Sequence, residues 1–149
     1  MITKILVPID GSKMSHKAAK YAVELAKQAG ASLTMLSFID KRFLVEQTVS
    51  ASASPTHVKE SIEDYLKQSA QASADEIEKV CKRNRIQSKT VIRTGHPVEE
   101  IVNEARRSKA DLIVMGSHGK SALRAAVLGS VTYGVIHKDT KIPVLIVRR

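Results

Sequence analysis

The segment 115–131 reads Met-Gly-Ser-His-Gly-Lys-Ser-Ala-Leu-Arg-Ala-Ala-Val-Leu-Gly-Ser-Val and places Gly116, Gly119 and Gly129 just after an apolar run, Leu112 to Met115. A glycine at the end of a buried strand lets the chain turn with positive φ and expose successive N–H groups, the geometry by which a backbone cradles phosphate. Gly129 and Ser130 then open a second apolar-periodic stretch, Val131, Val135 and Ile136. With Ser130 as N-cap, a helix starting there aims unpaired amides and its positive dipole end at the same place. One anion satisfies both loops: the three glycines by close approach, Ser130 by hydroxyl and amide, and Val131 by its N–H. His118, Lys120 and Arg124 lie between the glycines, either as counter-charges for phosphate or as ordinary exposed loop charge. Three turn glycines in a plain surface loop are the competing reading of the same spacing.

Several other chemistries fail on the residues. Gly119-Lys120-Ser121 has the ending of a P-loop, but that motif needs a glycine where Val114 stands. The dinucleotide fingerprint fails because two residues, not one, separate Gly116 from Gly119, and no glycine pattern follows the first strand. His16, His57, His96, His118 and His137 are scattered singly, without the paired spacing of a zinc site. There is no Gly-x-Ser-x-Gly elbow and no nucleophile with a recognisable base, so no catalytic residue is assigned.

The elements that must position these groups alternate. Ile5 to Pro8 reads as a strand and Ser12 to Ala29 as a helix; Ser32 to Phe38 and Pro55 to Arg83 repeat the pair. Ser88 to Arg93, Pro97 to Ser108, Leu112 to Met115, Ser130 to Lys138 and Ile142 to Arg148 complete the series. Strands alternating with helices predict an α/β fold around an open parallel sheet. In the first helix Ala18, Tyr21, Ala22, Leu25, Ala26 and Ala29 make one buried face, and Gly30 supplies a stop. In the second, Val58, Ile62, Tyr65, Leu66, Ser69, Ser73, Ile77 and Val80 form the stripe, with Ser54 as cap and Pro55 in the first turn. Glu99 and Glu100 suit the start of the third helix and Arg106 and Arg107 its end. The connection 41–54 is longer than most in such folds and reads as a lid or, by preference, a tolerated insertion.

Glycine, two residues, glycine, nine residues, glycine and serine resembles the ATP-binding signature of the universal stress protein family. Ile5-Leu6-Val7-Pro8-Ile9-Asp10-Gly11-Ser12 is similar to that family's opening strand and loop, and Ala110 to Gly116 and Ile142 to Val147 to its last two strands. The resemblance covers nearly the whole chain. It implies a Rossmann-like five-stranded parallel sheet of order 3-2-1-4-5 with helices on both faces, residues 1–149 forming one domain. That order brings Pro8, Ile9 and Asp10 opposite Met115 and Gly116, in the crevice where connections reverse. The resemblance gives Asp10 the ribose side of a nucleoside, although a carboxylate before Gly11 and Ser12 equally suits capping the following turn. Phe38 stands at the position that flanks adenine, where the family commonly has a small aliphatic residue; stacking on the base and burial in the core both suit it. Met115 lines the adenosine side. The ligand implied is ATP, with Mg²⁺ or Mn²⁺ held through phosphate oxygens and waters. A cradle without a water-positioning base favours binding over turnover, so hydrolysis is expected to be slow at most.

Composition bounds the rest. With 149 residues, two Phe, three Tyr and no Trp, the core of one compact domain must be built from aliphatic side chains. Cys81 is the single cysteine and reads as a small hydrophobe on a helix. No apolar run reaches membrane-span length and no leader is evident, which suits a cytoplasmic protein. The net charge of +9 includes Lys79, Lys82, Arg83, Arg85, Lys89 and Arg93, a cluster without interleaved aromatics. It reads as a solvated surface in preference to a nucleic-acid site. The third strand alternates charge and suits a blunted edge, whereas the last is apolar from Val144 to Val147. If that strand is the other edge it must be covered; pairing of Ile142 to Val147 with a second copy does so, and the resemblance implies such a homodimer. The leading expectation is thus an ATP-binding regulatory module of stress adaptation. An adenine-nucleotide hydrolase or transferase, and a nucleotide-free interaction protein, are the rivals.

Overall fold

The computed structural model describes residues 1–40, 55–119, 128–138 and 140–149. Among the described residues five strands, β1 (Lys4–Ile9), β2 (Ser32–Asp40), β3 (Ser88–Gly95), β4 (Leu112–Gly116) and β5 (Val144–Val147), alternate with four helices. The helices are α1 (Lys13–Ala29), α2 (Pro55–Arg83), α3 (Pro97–Arg107) and α4 (Ser130–His137). The sheet has the order β3-β2-β1-β4-β5, and each pairing is parallel. The α/β expectation and its strand order are therefore met, with β3 and β5 at the two edges. Ser54, the connection 41–54, Lys120 and Arg124 lie outside the described residues.

Strand alternation explains how both faces fill. Ile5, Val7 and Ile9 of β1 point to one face, where α1 and Ile77 and Cys81 of α2 cover them with Leu33 and Met35 of β2. Leu6, Leu36 and Ile113 point to the other, against Val98, Ile101 and Ala105 of α3 and Val135 of α4. β1 is consequently buried from Ile5 to Ile9, as a central strand covered on both sides must be.

Capping fixes the helix ends. The Ser12 side chain accepts from Ser15 N, and Gly30 closes α1 in the left-handed conformation (φ 68°) with its N–H donated to the Ala26 carbonyl. Pro97 sits in the first turn of α3 with Glu99 and Glu100, and Arg106 and Arg107 occupy its last. Four stripe residues are corrected: Tyr21 is 51% exposed and Tyr65 70% exposed, and Ala29 and Ser69 are exposed as well. The contact face of α1 is instead Ala18, Ala19, Ala22, Val23 and Ala26, with Met14 and Ser15 near its start. Small side chains bring the helix too close to the sheet for a phenol beneath it. Tyr21 at the margin of the face therefore turns to solvent.

Cys81 is fully buried on α2, and burial pushes its thiol pKa up against the smaller lowering effect of a hydrogen bond from Ser88. Arg93, from the basic cluster, pairs at 3.3 Å with Glu104, a carboxylate only 3% exposed that Arg107 also reaches at 3.5 Å. Lys79, Lys82, Arg83, Arg85 and Lys89 are exposed around the end of α2 and the start of β3. No helix among the described residues is long and apolar enough to cross a membrane.

Candidate functional site

In a parallel sheet the two connections leaving adjacent strands diverge where the winding reverses, and a crevice opens at the carboxyl ends. Here the reversal lies between β1 and β4. A cavity of about 460 Å³ opens there, lined from β1 by Pro8, Ile9 and Asp10 and from the end of β2 by Phe38. Met115, Gly116, His118 and Gly119 line it after β4, and Gly129, Ser130 and Val131 at the start of α4. All eleven residues singled out from the sequence thus face one space. Its volume lies within the roughly 300–1,000 Å³ range of small-molecule sites.

Asp10 caps the following turn and also lines the cavity. Its Oδ1 accepts from Ser12 N at 2.8 Å, which fixes the turn through Gly11 (φ 80°) into α1. Its N–H donates to Ser15 Oγ at 3.4 Å. The carboxylate lines the cavity while holding the turn. Phe38 is similar: it packs on the Leu36 side of the core and also lines the cavity.

The glycines are needed for closeness, not for positive φ. Among the described residues the glycines with positive φ are Gly11 and Gly30, so the left-handed turn expected at Gly116 and Gly119 is absent. A Cβ on Gly116 would lie 3.1 Å from the Met14 carbonyl carbon, so this glycine lets α1 approach β4. A Cβ on Gly119 would strike the Asp10 carboxylate, and one on Gly129 would lie 2.9 Å from His118 Cα. The two halves of the cradle therefore touch backbone to backbone, and Gly129 N donates to the Ser117 carbonyl at 2.8 Å.

The cap of α4 also differs from expectation. Gly129, extended at φ −62° and ψ 152°, is the N-cap, and its carbonyl accepts from Tyr133 N at 2.9 Å. Ser130 is the first helical residue, one place further in, so its hydroxyl does not cap. Helix geometry leaves the amides of 130–132 without an intrahelical carbonyl. Thr132, which the sequence reading passed over, ties the helix down by donating Oγ1 to the Gly116 carbonyl at 2.9 Å.

His118 is buried at 6% exposure. Its Nδ1 lies 2.9 Å from Ser117 Oγ, and Arg149 Nε donates to its Nε2 at 3.3 Å. Arg149 carried no signal in the sequence, because the contact joins positions far apart in the chain. Leu66, Ser69, Ala70 and Ser73 of α2 also line the cavity, as do Pro97 and Ile101 of α3. The trace of the α2 residues in the sequence is the stripe of that helix, which carries the small Ser69 and Ser73 where bulk would fill the space. Among the described residues no three metal-ligating side chains cluster.

Fold and site together define an open α/β domain with a glycine-lined, ligand-sized crevice at its switch point. The sequence matches the Universal stress protein family over residues 1–148, and the chain belongs to that family. It is 36% identical over 146 residues to Universal stress protein MJ0531 of Methanocaldococcus jannaschii, covering 98% of this chain and 82% of that one. The solved structure of MJ0577 from the same organism superposes with a TM-score of 0.85 at 32% identity, covering 100% of this chain and 97% of that one. A universal stress protein solved in complex with cAMP superposes at a TM-score of 0.61 with 25% identity, covering 99% of this chain and 97% of that one.

Proposed function

We propose that this chain binds ATP in the switch-point cavity and acts as a cytoplasmic regulatory module of stress adaptation, its nucleotide state altering the surface it offers to partners. The observation that carries this reading is the convergence of Pro8, Ile9, Asp10, Phe38, Met115, Gly116, His118, Gly119, Gly129, Ser130 and Val131 on one cavity. The base and ribose lie toward Phe38, Met115 and Asp10. The phosphates lie against the glycines and the first-turn amides of α4, where the dipole favours anions. A cradle so tight that a Cβ on Gly129 would come 2.9 Å from His118 Cα suits backbone recognition of phosphate. The cAMP complex of a family relative supports an adenine nucleotide as the ligand class.

Mg²⁺ or Mn²⁺ accompanies the nucleotide through phosphate oxygens and water, a mode that needs few protein ligands. Backbone donors and a helix terminus stabilise bound phosphate without activating a water, so turnover is at most slow. Residues 1–149 work as one domain, and β5 pairs with its equivalent in a second copy. Support for the pairing comes from the position of β5 at the sheet edge, with Val144, Leu145 and Ile146 incompletely buried.

Calorimetric titration of nucleotide-free protein with ATP and Mg²⁺, against GTP, AMP and cAMP, tests the reading. Saturable binding with ATP preferred is expected. Preference for AMP or cAMP replaces the triphosphate with a monophosphate ligand, and absence of heat and of competition moves the chain to the nucleotide-free class.

A further inference from the structure

The residues after β4 and after β5 are tied to one another in succession. Ser117 N donates to the Val147 carbonyl at 2.9 Å, Lys17 Nζ to the Arg148 carbonyl at 2.9 Å, and Arg149 Nε to His118 Nε2 at 3.3 Å. Three consecutive residues at the end of the sheet are thus each held, which sets the guanidinium against the imidazole that lines the cavity.

A guanidinium N–H only donates. The Nε2 it meets must present a lone pair, and the neutral ring must then carry its proton on Nδ1, 2.9 Å from Ser117 Oγ. With both nitrogens occupied in this way, the ring itself offers no N–H to a ligand. Among the described residues, Arg149 brings a positive charge to this edge of the cavity.

We infer that Arg149 is a positioning residue for the phosphate side of the cavity: through His118 it sets the ring tautomer and supplies a fixed cation next to the glycine cradle. The inference rests on the nucleotide reading above. Among the described residues, it adds a charge from beyond β5 to a cradle whose other proposed donors are backbone amides and the Ser130 hydroxyl. It also joins the end of β5, the strand at the sheet edge, to the ligand.

The test compares the wild-type protein with Arg149→Met and Arg149→Lys. ATP affinity in Arg149→Met should fall by roughly fivefold, while adenosine, which has no phosphate, should change by less than about twofold. Arg149→Lys, which keeps a donor and a charge, should lie between. Added salt should narrow the ATP difference, because Arg149 is an exposed residue. Nitrogen NMR of the imidazole, at a pH where it is neutral, should show His118 as the Nδ1–H form in wild type and a shift toward Nε2–H in Arg149→Met.

Unchanged ATP affinity in Arg149→Met, an unchanged ring pattern, or equal losses for adenosine and ATP would each overturn the role of Arg149. Wild-type protein that binds no nucleotide overturns the nucleotide reading itself, whereas wild-type binding that Arg149→Met leaves untouched removes this inference alone.

Discussion

Replacing Gly129 by alanine isolates the closeness of the cradle from every other property of the loop. The residue sits at φ −62° and ψ 152°, a conformation open to alanine, so no backbone strain enters. The new Cβ would lie 2.9 Å from His118 Cα, 3.3 Å from His118 Cβ and 3.5 Å from Gly119 N. Ordinary contact begins near 3.4 Å, so the 118–119 backbone must withdraw by about half an ångström, stretching the 2.8 Å bond from Gly129 N to Ser117 O. Overpacking of this kind costs on the order of 1–3 kcal/mol of stability. The same movement separates the amides proposed to face phosphate, and a misplacement of that size should weaken ATP at least tenfold, about 1.4 kcal/mol. Gly129→Val should do both more severely. Urea denaturation gives the first quantity and calorimetric titration of the folded variant the second. A folded Gly129→Ala protein with wild-type ATP affinity would refute the proposition that this contact shapes the nucleotide site.

Three further outcomes follow from residues outside the cradle. Gly30→Ala meets nothing within 4 Å but forces a side chain to φ 68°, so it should lose about 1–2 kcal/mol in urea denaturation with ATP affinity unchanged. Asp111 accepts from Thr3 N, Thr3 Oγ1 and Lys4 N, which hold its carboxyl below the usual range. A depressed folded pKa contributes stability above the unfolded value that disappears as pH falls through the folded value. The advantage of wild type over Asp111→Asn should accordingly be present at neutral pH and vanish on acidification through the carboxylate range, as read by thermal melts across pH. Cys81, buried and with its thiol pushed up, should resist alkylation in the native protein and react only as the chain unfolds, which mass spectrometry along a urea series would measure.

The extent to which the architecture was legible differs by element. Strand and helix spans could be read because a sheet covered on both faces needs near-continuous apolar runs, and Leu112 to Met115 is such a run. Strand order was not in that pattern; it came from resemblance to a family, since periodicity says which face is buried but not which strand is adjacent. The site residues emerged from glycine spacing joined to that order. The reason for the glycines did not, because a steric requirement such as Gly116 against Met14 arises only when distant segments meet. Ser130 shows the limit of local rules: serine is the stronger cap, yet Gly129 holds the cap because its N–H closes the loop onto Ser117. Arg149 was beyond reach for the same reason, being coupled to His118 by the fold alone.

Mapping backbone amide shifts during titration with ATP and Mg²⁺ locates the nucleotide residue by residue. Saturable perturbation is expected at Asp10, Gly116, Gly119, Gly129, Ser130 and Val131, with the basic end around Lys82 and Arg85 left unmoved. Saturable shifts confined to that basic end, or none at these glycines under saturating ATP, would contradict binding in the switch-point cavity.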